Sequence, residues 1–152
     1  RRQRQMCIRD SHYADLVECL PYDDAVYMLK VTGTQLERMI RHILRDEAFQ
    51  GEHTEFYQFS HGTHIVWSRS EQAFRTLTLD GEALYAERLY TVAVQKYHYN
   101  NLKPFLDITL EEVEKNGKIR VLSTSARDVV EEYLTVNQHL SREVEGRLVV
   151  ED

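Results

Sequence analysis

A chain of 152 residues is one ordinary domain rather than two, long enough to bury a real core without staples. At 42% hydrophobic and 10% aromatic, with 6 Gly and 2 Pro, it is neither disordered nor low in complexity. No apolar run approaches the roughly 18 residues of a membrane helix, and a net charge of −6 argues against nucleic acid as the main partner while leaving room for a small anionic ligand.

The first eleven residues, Arg1 to Ser11, hold four arginines against one aspartate, so the body is more acidic than the chain as a whole. No apolar segment follows the basic residues, which argues against a signal peptide. The string RQMCIRDS resembles a translated sequencing-adaptor scar. Residues 1–11 are therefore expected to be a non-native or disordered extension, and residues 12–152 an N-terminally truncated domain. With Cys7 set aside, Cys19 stands alone; two cysteines make neither a disulfide framework nor a four-ligand zinc site.

Tyr13–Leu20 carries Leu16, Val17 and Leu20 at helical spacing, and Pro21 ends it. By period Cys19 falls on the interior side. Ala25–Val31 (AVYMLKV) reads as a strand buried on both faces. Thr32-Gly33-Thr34-Gln35 has capping-box spacing. It opens an amphipathic helix with Leu36, Met39, Ile40, Ile43 and Leu44 on one face and Glu37, Arg38, Arg41 and Arg45 on the other.

Glu55–Phe59 and His64–Ser68 read as strands broken at Ser60-His61-Gly62, and Phe74–Leu79 as a third ended by the turn dipeptide Asp80-Gly81. Tyr90–Tyr97 is a further strand, Leu110–Lys115 a short helix, and Ile119–Leu122 a strand. Ser125–Asp128 is a second capping-box-like start, opening a helix with Val129, Val130, Tyr133 and Leu134. Arg147–Val150 closes as a strand. The layout is α+β: a single layered domain of mixed sheets flanked by helices.

The chemistry-bearing candidates are few. His61 and His64 form H-x-x-H, with His53 and His98 elsewhere, but a spacing of three on a strand sends the side chains to opposite faces. No acid or cysteine pair completes a tetrahedral set, so no metal site is expected in this chain. Asp23-Asp24 could hold a ribose or a cation; adjacent turn acids are more often solvated. Glu111 and Glu112 look like a solvated helix face.

The run DLVECLPYDDAVYMLKVTGTQLERMIRHIL resembles the opening of the C-terminal domain of the 5'-nucleotidase family: a helix ending in Leu-Pro-aromatic, a strand, then TG-x-x-L starting an amphipathic helix. Phe56–Val66, Tyr90–Lys96 and the Val144-Glu145-Gly146-Arg147-Leu148 close follow in family order, so the resemblance runs from about Asp15 to Val150. It implies a domain that holds a nucleoside or nucleotide by stacking the base between two aromatic rings. Two divalent metal ions would sit on an N-terminal metallophosphoesterase domain missing from this chain, and would activate water there. The chain alone would then have no catalytic residue and no activity.

The first stacking aromatic falls on Tyr22. Aligned without a gap from Val92, the family loop aromatic-x-x-N-G-G-D-G-aromatic places its asparagine at Asn100 and its second aromatic at Phe105. The glycines are replaced by Asn101-Leu102-Lys103-Pro104, so a family acid near the ribose is a lysine here. An upstream Gly-Gly-x-I-R segment has no counterpart, and Arg9 is not carried over. On the residues alone, Tyr22 and Phe105 would be core or loop-packing aromatics; the resemblance gives them the base-stacking role instead.

Three functions stay in play. One is the substrate-binding domain of a 5'-nucleotidase-like phosphoric-ester hydrolase of nucleotide catabolism. Another is the same domain in a UDP-sugar or 2',3'-cyclic-nucleotide hydrolase, and the third a non-catalytic interaction module. Location, whether cytoplasmic, extracytoplasmic or at the cell surface, is open on this reading.

Overall fold

The computed structural model describes residues 13–50 and 57–152. The arginine-rich extension, Cys7, His53 and the start of the strand expected at Glu55 lie outside them. The described elements are α1 (Tyr13–Cys19), β1 (Val26–Thr32), α2 (Gly33–Ile43), β2 (Thr63–Ser68), β3 (Ala73–Leu79), β4 (Glu82–Ala83), β5 (Leu89–Gln95), α3 (Lys96–Asn100), α4 (Leu102–Leu106), α5 (Leu110–Asn116), β6 (Arg120–Ser123), α6 (Ala126–Val136) and β7 (Leu148–Glu151). A 3₁₀ turn at Asp46–Phe49 follows α2.

Two sheets form the α+β frame. The first is antiparallel in the order β5-β1-β6; the second runs β4-β3-β2-β7, with β7 parallel to β2 and the other pairs antiparallel. The core joins them: Leu29 and Val31 of β1, Ile65 and Trp67 of β2, Leu36, Met39, Ile40 and Leu44 of the α2 segment, and Leu102, Leu106, Ile108 and Val113 beyond β5. Helix α2 forms as its sequence dictates. The Thr32 hydroxyl accepts from Gln35 N at 3.2 Å, and the Gln35 amide oxygen accepts from Thr32 N at 2.9 Å, a full capping box.

The polar face of α2 is more than solvated. Arg41 pairs with Glu37 at 2.9 Å, as the i,i+4 spacing predicts, and its guanidinium lies 5.0 Å from the Phe74 ring centre and 5.5 Å from that of Trp67. Arg38 donates to Glu112 at 2.6 Å.

At Gly33 a glycine is required by close approach. The 85–88 loop folds over it, with Gly33 N donating to Arg88 O at 3.0 Å and Thr34 N to Ala86 O at 3.1 Å; a Cβ would collide with the Tyr85 carbonyl oxygen. The Asp80-Gly81 turn has φ of 49° and 82°, two positive values as a type I′ hairpin needs, and it sets the Leu79–Glu82 register.

Four expectations need correction. Strand β1 is not buried on both faces: Leu29 and Val31 are inaccessible while Lys30 between them is exposed, because the hydrophobic core packs against the Leu29 and Val31 face. Tyr57–Phe59 is irregular chain, not strand. Cys19 is exposed, since α1 lies at the rim and buries no residue fully. The strand expected to reach Tyr97 stops at Gln95 and turns into α3.

Candidate functional site

The antiparallel register decides what meets at one end of the first sheet. Val26, the first residue of β1, pairs with Gln95, the last of β5, and also with Ser123, the last of β6. Three connections therefore emerge side by side: the Leu20–Ala25 loop, the α3–α4 segment and the start of α6. Lys96 N donates to Ala25 O at 2.7 Å and Ala126 N to Asp24 O at 2.9 Å, joining all three. Tyr22 lies on the first; Asn100 and Phe105 lie on the second.

The Leu20–Ala25 loop follows the Pro21 stop and presents Tyr22 with 82% of its surface exposed. Its neighbour Asp23 is exposed, as expected of a turn acid, yet its carboxylate is also held by protein donors. The carboxylate accepts from Ser125 Oγ at 2.9 Å through both oxygens and from Arg127 N at 3.1 Å. The Arg127 backbone N–H and the Ser125 hydroxyl hold the Asp23 carboxyl below the usual carboxylate range. Asp23 thus caps the first turn of α6, where unsatisfied N–H groups favour an anion. Ser125 is itself the N-cap of α6, accepting from Asp128 N at 2.9 Å. It is a single side-chain cap rather than the reciprocal box its spacing suggested.

The second segment is helical where the family pattern has a glycine-rich loop. With Asn101-Leu102-Lys103-Pro104 in place of the glycines, Leu102 and Leu106 fall four apart and bury against the core. Pro104 sits in the first turn of α4, where its missing N–H costs no helical bond. Asp107, at φ 50°, ends the helix in the left-handed region. Lys103, at the family acid's position, is ion-paired to Asp107. That contact holds the Asp107 carboxyl below its ordinary value.

Asn100 is exposed at the end of α3. Phe105 is half-buried. Its ring lies 5.3 Å from Tyr97, tilted by 56°, and 5.7 Å from His98, edge to face at 78°. His98 also meets Tyr57 at 5.3 Å, so this histidine belongs to an aromatic cluster. Sequence reasoning missed that cluster because it read 97–105 as loop; the apolar pair Leu102/Leu106 at helical spacing was the available signal.

Residues His61 and His64 do not converge. His64 is an exposed β2 side chain, and His61 lies 3.0 Å from Glu145 Oε2. Among the described residues no group of three or more His, Cys, Asp or Glu could hold a metal ion, and no helix is long and apolar enough to cross a membrane.

A family model described as the 5'-nucleotidase C-terminal domain matches residues 10–106, more than half of the chain and a span that includes Tyr22, Asn100 and Phe105. The chain belongs to that family. Its fold is similar to a 5'-nucleotidase precursor from Thermus thermophilus, with a TM-score of 0.75, 16% identity, and coverage of 93% of this chain and 28% of that one. It is also similar to a putative 5'-nucleotidase from Staphylococcus aureus solved with alpha-ketoglutarate, with a TM-score of 0.64, 15% identity, and coverage of 91% and 29%. The chain thus spans less than a third of the length of either protein. No curated protein sequence matches it.

Proposed function

We propose that this chain is the nucleoside-holding domain of a 5'-nucleotidase-like phosphoric-ester hydrolase. In this reading the base stacks between Tyr22 and Phe105, and Asn100 reaches its edge. The observation that carries it is the shared end of the first sheet: one family aromatic stands exposed on the Leu20–Ala25 loop, the other on the segment bonded to that loop. Each base–aromatic stack contributes about 1–3 kcal/mol and accepts any base, since every base has a π-face.

The chain's own residues bind and orient. The two divalent ions of such hydrolases do not fit the described residues, which offer no metal-holding group. Hydrolysis belongs, in this reading, to a metallophosphoesterase domain outside these 152 residues.

A second reading changes the substrate and keeps the site. With Lys103 paired to Asp107, the helical α3–α4 segment puts no acid where the family pattern has one. This favours an ester whose sugar is held differently, such as a UDP-sugar or a 2',3'-cyclic nucleotide.

The test is an NMR titration of the chain with adenosine, uridine, AMP, a UDP-sugar and a 2',3'-cyclic nucleotide. Shifts gathered on Tyr22, Asn100 and Phe105 support the nucleoside site, and the strongest ligand identifies the substrate class. A folded spectrum indifferent to all five overturns both readings in favour of an interaction module.

A further inference from the structure

We infer that Arg127 is a positioning residue for the substrate site, fixing Tyr22 through the backbone on its N-terminal side while Asp23 is held from the other. The inference rests on the stacking role proposed for Tyr22. The Tyr22 ring is mostly exposed, so little but its own backbone can set where it stands. That backbone is gripped on both sides. Arg127 Nη2 donates to Leu20 O at 2.9 Å and to Pro21 O at 3.3 Å, immediately before Tyr22. After it, Asp23 accepts from Ser125 Oγ and Arg127 N, and Asp24 O accepts from Ala126 N.

One side chain thus ties the last carbonyls of the α1 segment to the first turn of α6, across more than a hundred residues of sequence. Leu20 and Pro21 carbonyls at a helix end need partners, and a cation there also suits the α1 dipole. Helix α6 has no buried residue along its length, whereas its N-cap Ser125 is buried. Its tightest attachment to the body is therefore this junction. An arginine suits it because a planar guanidinium can aim one nitrogen at two adjacent carbonyls with little loss of freedom.

A purely structural role and a positioning role separate in a double-mutant cycle on the full chain. The variants are Tyr22→Ala, Arg127→Ala, their combination and Arg127→Lys, each titrated with adenosine by NMR. Arg127→Ala is expected to keep the core amides of Leu29, Val31 and Ile65 unshifted. The Ala126 amide should exchange faster, and adenosine affinity should fall by roughly tenfold, the scale of one lost stack. The double variant should bind no more weakly than Tyr22→Ala alone, because the arginine acts only through that ring. Arg127→Lys should recover part of the loss.

Two results overturn the inference while leaving the stacking reading intact. Arg127→Ala could bind adenosine like the parent although Tyr22→Ala does not, or the two losses could simply add. If Tyr22→Ala itself binds like the parent, the stacking reading fails first and this inference fails with it. Should Arg127→Ala not fold, Asp23→Asn loosens the same junction from the other side and carries the same expectations.

Discussion

Tyr27 of β1 and Tyr99 of α3 lie face to face, ring centres 4.2 Å apart and 3° from parallel. The pair ties the segment bearing Asn100 and Phe105 to the central strand of the first sheet. Aromatic pairs of this kind contribute about 0.5–1.5 kcal/mol beyond the area they bury. Tyr99→Leu keeps most of the apolar bulk and removes the stack, so urea denaturation should show a loss of about 1 kcal/mol. A larger effect on nucleoside affinity than on stability would mean that the stack also sets the position of α3.

The glycine at the start of α2 makes a sharper case. Gly33→Ala places a methyl group against the Tyr85 carbonyl, a backbone atom that cannot rotate away. The 85–88 loop would have to shift and strain the bonds from Gly33 N and Thr34 N. Overpacking of this kind costs about 1–3 kcal/mol. Thermal unfolding should show the loss, with faster amide exchange at Thr34; a variant as stable as the parent would mean the loop moves freely.

How much of this was legible in the sequence follows from where the interactions are. Helix α2, with its capping box and apolar stripe, is a local statement and could be read outright, as could the Asp80-Gly81 hairpin. The α3–α4 segment was misread because a family loop was carried across four substituted residues, although Leu102 and Leu106 already had helical spacing. Asp23, Arg127 and Glu112 could not have been assigned at all. Their partners lie 102, 107 and 74 residues away, and no periodicity encodes such distances. Of the candidate site, Tyr22 and Phe105 are singled out by resemblance alone; their placement at one end of a sheet needs the strand register.

Glu112 gives the pH prediction. Arg38, donating to its carboxylate, and the backbone N–H of Thr109 hold it at about 2, against an ordinary 4.5. Because the folded value is the lower one, its contribution is fully present above pH 4.5. It is lost as pH falls from there towards 2. Both partners are partly exposed, so solvent screening limits the contribution to about 1 kcal/mol or less. Glu112→Gln should lower stability near neutral pH, and the gap to the parent should close in acid. A gap that stays constant down to about pH 2.5 would rule out this charge pair as its origin.

Tyr22 and Phe105 are expected to share one role in binding and to differ in what they do for the fold. Tyr22 is 82% exposed, so Tyr22→Ala should leave the unfolding free energy within about 0.5 kcal/mol of the parent. Phe105 packs against the core and against Tyr97 and His98. Truncating it should cost a measurable part of the roughly 3–5 kcal/mol typical of a fully buried Phe, about half given its partial exposure. If both rings stack on a base, each alanine variant should still weaken adenosine binding by a similar factor, on the order of tenfold, when the folded protein is titrated by NMR well below its unfolding temperature. The separation matters because a packing role alone predicts another pattern: Phe105→Ala unstable with unchanged affinity in whatever remains folded, and Tyr22→Ala silent in both measurements. Equal binding losses from two residues with unequal stability losses are the pattern expected of a ligand that stacks on both rings, and a packing role alone does not produce it.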